Sequence, residues 1–166
     1  MLITTLSEKH IVQMYNLHVQ CHSNPWSLST FTDCTTPPYF AAALSVSEQK
    51  ASDTTAESFI AGYYIGLNVV GEVTLMDIGI AQDYRGKGYG EQLLDAFLAR
   101  CRQLQCQAIW LEVRASNQAA ISLYMKKGFE EIEVRKGYYT ISSTRNGEDG
   151  VTGKEDAVIM KLSLTD

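Results

Sequence analysis

A run of alternating glycines stands between an apolar segment and a helical pattern that becomes clear at Leu93. The run consists of Arg85, Gly86, Lys87, Gly88, Tyr89 and Gly90. Glycine lets backbone N–H groups approach an anion closely, and the first turn of a helix adds unpaired N–H donors and a partial positive charge. The run therefore predicts a pyrophosphate site, to which Arg85 and Lys87 would add cationic side chains.

Glycine spacing alone leaves a second interpretation open, which is a surface turn with solubilising charge. The run matches neither the dinucleotide fingerprint G-x-G-x-x-G nor the ATP-binding loop that ends in Gly-Lys-Ser/Thr. Its position favours the phosphate site, because it connects a buried strand to a strongly amphipathic helix.

A carboxylate interrupts the apolar segment of residues 108–113. A carboxylate within a core strand costs free energy unless it is satisfied or useful. Side chains alternate along a strand, so Glu112 shares one face with Trp110 and Arg114. Glu112 is thus a candidate general base, and the alternatives are a carboxylate on an exposed sheet surface or one paired with Arg114.

Tyr124 lies on a helix that we predict to begin after Asn117 and to end at Gly128. A phenol has a pKa of about 10, so it is protonated at neutral pH and can protonate a leaving group. Tyr124 is a candidate general acid. The spacing equally fits a core aromatic side chain whose hydroxyl is hydrogen-bonded.

These residues must be positioned by one mixed α/β domain that covers residues 1–166. Hydrophobic periodicity predicts the order β-α-α-β-β-β-α-β-α-β-β, with residues 47–58 as a hairpin loop and residues 140–155 as a long loop. We expect a mixed, mostly antiparallel sheet of about seven strands flanked by about four helices.

Composition excludes several classes of protein. The 14 Lys and Arg against 19 Asp and Glu give a formal net charge of −5, so the basic surface of a nucleic-acid-binding protein is missing. No apolar run approaches the ~18 residues of a membrane span. Four cysteines without a C-x-x-C spacing show no zinc-knuckle or thioredoxin motif. Their even number permits disulfides, but the first ten residues, MLITTLSEKH, do not resemble a secretory signal, so we expect reduced thiols and a cytoplasmic protein. His18 and His22 could form a metal pair, but no third ligand follows at a matching spacing, so we expect no metal.

The pattern Arg85-x-x-Gly88-x-Gly90 resembles the signature of the GNAT superfamily of acetyl-CoA-dependent N-acyltransferases, and residues 76–80 and 117–129 match its flanking segments. The resemblance implies a GNAT fold and direct attack of an amine on acetyl-CoA in a ternary complex. It assigns the general base to Glu112 and the general acid to Tyr124. It also implies CoA contacts from Ile78, Gly79, Ile80, Arg85, Gly86, Lys87, Gly88, Tyr89, Gly90, Asn117 and Tyr124.

Residues 110–117, WLEVRASN, resemble the RimI type within this superfamily, which acetylates the N-terminal alanine of ribosomal protein S18. The resemblance implies a ribosomal-protein peptide as acceptor, with Trp26, Tyr138 and Tyr139 as substrate-binding residues, in a monomer or weak homodimer. The acidic run of residues 130–133 is either a solvated strand face or a surface for a basic peptide. Two alternatives remain, which are acetylation of a lysine, another protein N-terminus or a small amine, and a non-catalytic acyl-CoA-binding module.

Overall fold

The structure, a computed structural model, describes residues 2–4, 8–48, 57–145 and 148–164. Four α-helices and seven strands lie within these ranges, in the order that the periodicity predicts. The elements are β1 (Leu2–Thr4), α1 (Glu8–Cys21), α2 (Leu28–Asp33), β2 (Tyr39–Glu48), β3 (Glu57–Val69), β4 (Glu72–Ile80), a 3-10 turn (Gln82–Tyr84), α3 (Tyr89–Gln103), β5 (Ala108–Arg114), α4 (Gln118–Lys126), β6 (Glu130–Arg145) and β7 (Glu148–Ser163).

The seven strands form one mixed sheet in the order β1-β2-β3-β4-β5-β7-β6. Every neighbouring pair is antiparallel except β4 and β5, which run parallel. The β4–β5 pairing ends where Leu75 lies opposite Leu111, although both strands continue. The two strands therefore separate, and within the described part of the chain the last residues of β4 pair only with β3.

Helices cover the sheet on both sides and give two separate apolar clusters. Helices α3 and α4 cover one face, whose core includes Leu75, Leu94, Phe97 and Tyr124. Helices α1 and α2 cover the other face around Tyr63. We call these the α3 face and the α1 face.

One extra residue in β4 changes which face its side chains meet. Gly66 pairs with Leu75 and the preceding Ile65 pairs with Asp77, so Met76 is a bulge without a partner on β3. Leu75 belongs to the core of the α3 face, whereas Asp77 contacts Tyr63 on the α1 face.

The predicted cap of α4 at Asn117 and its stop at Gly128 are confirmed, whereas α3 begins at Tyr89, so Gly90 lies within its first turn rather than before it. Gly88 is the N-cap of α3 with φ +81°, a conformation that favours glycine. Asn117 caps α4, since its side-chain oxygen accepts a hydrogen bond from the N–H of Ala120 at 3.2 Å. Gly128 follows α4 with φ +92°, as expected for the residue after a C-cap.

The prediction of a long loop at residues 140–155 is wrong. β6 and β7 form an extended hairpin there, and their pairing continues through Thr140 opposite Lys154 and Ile141 opposite Gly153. Gly150 and Gly153 take part in this pairing, opposite Ser143 and Ile141, although glycine weakens a strand interior. Residues 47–58 are strand at both ends, and residues 49–56 lie outside the described residues.

All four cysteines are free thiols. None of the helices in the described ranges is long and apolar enough to cross a membrane.

Candidate active site

The glycine run forms an open turn at the N-terminus of α3. Gly86 has φ +71° and no atom lies within 4 Å of the position that a Cβ would occupy. The Nε of Arg85 donates to the carbonyl of Ile80 at 2.9 Å, and this bond ties the turn to the end of β4. The turn is therefore open at Gly86 and joined to the end of β4, directly before the first backbone N–H groups of α3.

Glu91 in the first turn of α3 links this helix to α4. Its carboxylate accepts hydrogen bonds from Lys126 at 2.8 and 2.9 Å and lies 2.9 Å from the Nζ of Lys127. These two lysines lower the pKa of Glu91 to about 2. The contact holds the end of α4, which carries Tyr124, against the start of α3.

Tyr124 is buried on the α3 face of the sheet. Its ring lies 5.6 Å from the ring of Phe129, and 6% of its surface is exposed. Burial and, to a smaller extent, the negative charge of Asp77 together raise the pKa of Tyr124 to about 12. The phenol is therefore a protonated donor at neutral pH, beside the gap between β4 and β5.

The side chain of Glu112 lies on the α1 face, whereas its neighbours Leu111 and Val113 belong to the core of the α3 face. Its Oε1 accepts a hydrogen bond from the hydroxyl of Tyr139 at 2.8 Å, and its Oε2 lies 3.4 Å from a guanidinium nitrogen of Arg135. Burial and the bond to Glu112 raise the pKa of Tyr139. The alternative of a Glu112–Arg114 pair is wrong, because Arg114 pairs with Glu155 at 3.1 Å. Glu112 and Tyr124 thus approach the separation of β4 and β5 from opposite faces.

The three predicted substrate-binding aromatics occupy two places. Tyr138 is 52% exposed, and its ring lies 5.2 Å from that of Tyr139, which hydrogen-bonds Glu112. Trp26 lies in the connection between α1 and α2, with its ring 5.1 Å from the ring of His18. The structure brings Tyr139 together with Glu112 and places Trp26 beside a separate polar cluster.

That polar cluster was missed from the sequence. Oδ2 of Asp77 accepts from the hydroxyl of Tyr63 at 2.5 Å and lies 2.8 Å from Nδ1 of His18, while its Oδ1 lies 3.0 Å from Nε2 of His22. Burial alone would raise the pKa of Asp77, but the hydrogen bonds of the two histidines and Tyr63 hold it well below its usual range. A signal was available, since Asp77 interrupts the apolar strand β4 as Glu112 interrupts β5.

Asp77 also supplies the third metal-ligand atom that the spacing of the histidines lacks, and the three groups lie within 4.8 Å of one another. The hydrogen bonds of His18 argue against a metal there. The backbone N–H of Trp26 donates to Nε2 of His18 at 2.9 Å, so the proton of a neutral His18 is on Nδ1, directed at Asp77. A metal ion at Nδ1 would have to displace this proton, and Nε2 could not take it up while it accepts the N–H of Trp26.

Comparison with known proteins identifies the family of this chain. Residues 11–129 match the Acetyltransferase (GNAT) family. The [Ribosomal protein bS18]-alanine N-acetyltransferase of Escherichia coli is 31% identical over 98% of this chain and 97% of its own length, and that of Haemophilus influenzae is 34% identical over 92% of this chain and 91% of its own length.

Two solved structures have the same fold. The crystal structure of the Escherichia coli ribosomal-protein-S18-alanine N-acetyltransferase superposes with a TM-score of 0.80 over 99% of this chain and 94% of that chain, at 31% identity. Arabidopsis thaliana NAA60 in complex with acetyl-CoA gives a TM-score of 0.78 over 98% of both chains at 16% identity. With its glycine turn, its separated β4 and β5 strands and these matches, the chain belongs to the GNAT family of acetyltransferases.

Proposed function

We propose that this protein transfers an acetyl group from acetyl-CoA to the α-amine of the N-terminal alanine of ribosomal protein S18. The near full-length identity to enzymes with this activity, 31% over 163 residues in Escherichia coli, is the observation that carries the proposal. The turn at the start of α3 would bind the pyrophosphate of acetyl-CoA, with Arg85 and Lys87 beside it. Asn117 would contribute a further CoA contact from the cap of α4.

The separated strands suit the remainder of acetyl-CoA. Ile78, Gly79 and Ile80 have backbone groups that no described strand of the β5 side occupies, and the pantetheine arm can pair with them. The amide of Ile78 would then stabilise the oxyanion of the tetrahedral intermediate, as a fixed donor does in other acyl transfers.

The amine must lose a proton before it attacks. An α-amine has a pKa of about 7.7–8.0 and a lysine amine about 10.4, so at neutral pH the α-amine is roughly 300-fold richer in the reactive form. Glu112 is the anion on the acceptor side, where it attracts the ammonium group and accepts a proton directly or through water. Tyr124, protonated and on the other side of β5, donates a proton to the CoA thiolate as it leaves.

The acceptor peptide would lie on the α1 face, near Trp26, Tyr138 and Tyr139. β6 is one of the two edge strands of the sheet, and Glu130, Glu131 and Glu133 are all exposed on it. This negative edge would attract a basic peptide over short range.

The proposal is tested with two peptides. One carries a free N-terminal alanine, and its twin has a blocked N-terminus and one lysine. Acetylation of the first alone is expected, and acetylation of the lysine twin alone would refute the α-amine as acceptor. In cells, mass spectrometry of ribosomal proteins with and without this protein should show an S18 N-terminus that changes by one acetyl group.

A further inference from the structure

His22 has one ring nitrogen that the fold uses and one that it leaves over. Its Nε2 lies 3.0 Å from Oδ1 of Asp77. The pKa of Asp77 is lowered, so its carboxylate is ionised and can only accept hydrogen bonds. Nε2 of His22 must therefore carry the proton, and the lone pair of the neutral ring is on Nδ1. No residue in the described ranges forms a hydrogen bond with this Nδ1.

His18 differs from His22 in its exposure and in the use of its ring nitrogens. It is 2% exposed, and both of its nitrogens are engaged, Nδ1 with Asp77 and Nε2 with the N–H of Trp26. His18 thus fixes the α1–α2 connection to β4. The side chain of His22 is 39% exposed, so its Nδ1 can be reached from outside.

The position of His22 relates it to the reacting atoms. Its partner Asp77 directly precedes Ile78, whose amide is the proposed oxyanion donor, and the charge of Asp77 acts on Tyr124. His22 itself comes directly after α1 and four residues before Trp26, one of the proposed acceptor contacts. A proton acceptor therefore stands on the α1 face, next to the point where β4 and β5 separate.

The contacts of Glu112 make a second proton acceptor useful. Each of its oxygens already accepts a donor, Oε1 from Tyr139 and Oε2 from Arg135. A proton delivered to either oxygen would weaken one of these contacts. Nδ1 of His22 has no such competitor.

We propose that His22, oriented by Asp77, is a second proton acceptor for the attacking amine. Nδ1 uses its lone pair to take a proton from the amine nitrogen, the N–H electron pair stays on nitrogen, and nitrogen bonds to the acetyl carbon while the C=O π pair moves to oxygen. When that pair returns, the C–S bond breaks with its electron pair on sulfur, and the CoA thiolate takes the proton of Tyr124. The imidazolium that forms is balanced by the Asp77 carboxylate and then releases its proton to water. Three titratable groups surround His22: Asp77 from β4, Tyr63 from β3, which contacts Asp77, and His18 from α1. The ring centroid of His18 lies 4.5 Å from that of His22.

The first test is His22→Gln, because the glutamine amide can still donate to Asp77 while it offers no basic nitrogen. We expect kcat to fall about 10²-fold, the lower end of the range for positioned acid–base groups, with an unchanged calorimetric Kd for acetyl-CoA. His10→Gln is the matched control, since it removes an imidazole from α1, which ends just before His22, about 18 Å away along the helix axis, and its kcat should equal that of the wild type.

The second test is chemical rescue. His22 comes after the last residue of α1, so His22→Gly suits the C-terminal end of the helix and opens space beside Asp77. Added imidazole should raise the rate of His22→Gly at least tenfold and should leave the rate of His22→Gln unchanged. Wild-type kcat in His22→Gln overturns the proposal, and so does a loss in His22→Gly that imidazole leaves unaltered.

The inference rests on the proposed function only in that an amine attacks acetyl-CoA. The wild-type rate is therefore measured first with the alanine peptide, the lysine twin and a polyamine. A wild-type protein that prefers another amine refutes the proposed acceptor, and the His22→Gln ratio is then measured with that amine. Failure of the proposed acceptor thus appears in the wild-type rates with the three amines. Failure of the His22 proposal appears in the ratio of the His22→Gln rate to the wild-type rate.

Discussion

The hydroxyl of Tyr63 offers a direct measure of how strongly the Asp77 cluster stabilises the fold. Tyr63 is fully buried, and its hydroxyl donates to Asp77 at 2.5 Å. Tyr63→Phe removes this donor and leaves the carboxylate with two histidines. A hydrogen bond to a charged group contributes about 1.5–3 kcal/mol. At about 2–4 °C per kcal/mol for a domain of this size, we expect Tm to fall by roughly 3–12 °C in thermal unfolding followed by circular dichroism.

The effect of Tyr63→Phe should depend on pH in one direction. The native pKa of Asp77 lies below its ordinary value of about 3.9. Its stabilising contribution is therefore complete above about pH 4 and is lost as the pH falls towards the native pKa. The difference in free energy of unfolding between Tyr63→Phe and wild type, from urea titrations, should be constant between about pH 5 and pH 8 and should shrink below about pH 4.

Tyr64→Phe is the matched control on the next residue of β3. Tyr64 is 4% exposed and belongs to the core of the α3 face, but its hydroxyl donates to no residue that the structure describes. Its loss should change Tm by less than the loss of the Tyr63 hydroxyl. Equal effects of the two substitutions, or a Tyr63→Phe penalty of the same size at pH 3 and pH 7, would show that the hydroxyl–carboxylate bond is not the source of the stability.

Three further predictions concern catalysis and binding. Glu112→Gln and Tyr124→Phe should each lower kcat by about 10²–10⁴-fold at an unchanged calorimetric affinity for acetyl-CoA, whereas a non-catalytic binding module would be indifferent to both. Gly88→Ala places a side chain at φ +81° at a cost of about 1–2 kcal/mol, so Tm and acetyl-CoA affinity should both fall, while Gly90→Ala, whose added Cβ would meet Ile80 only at an ordinary contact distance, should retain Tm. Glu133→Lys should raise KM for a basic alanine peptide and leave KM for a neutral one unchanged, and an equal rise for both would exclude a charge effect.

Features encoded over a few neighbouring residues could be predicted from the sequence. The glycine turn before α3, the Asn117 cap and the face shared by Trp110, Glu112 and Arg114 all follow from local periodicity and side-chain size. The partners of Glu112 could not be predicted, because Arg135 and Tyr139 reach it from β6, which is separated from β5 in the sheet by β7. Their approach depends on bulges within the β6–β7 hairpin, and the residue types at those positions do not predict a bulge.

The bulge at Met76 explains why simple alternation fails at Asp77. With regular alternation, Asp77 would share the face of Leu75 and its carboxylate would lie in the apolar core under α3, where a charge without donors costs several kcal/mol. The extra residue turns Asp77 to the α1 face, where Tyr63, His18 and His22 supply three donors. The β4–β5 pairing ends at Leu75, directly before the same residue. The position that ends the pairing of β4 with β5 is therefore also the one that directs Asp77 towards His22, which places a buried anion, a basic nitrogen and a strand unpaired on its β5 side within a few residues of one another.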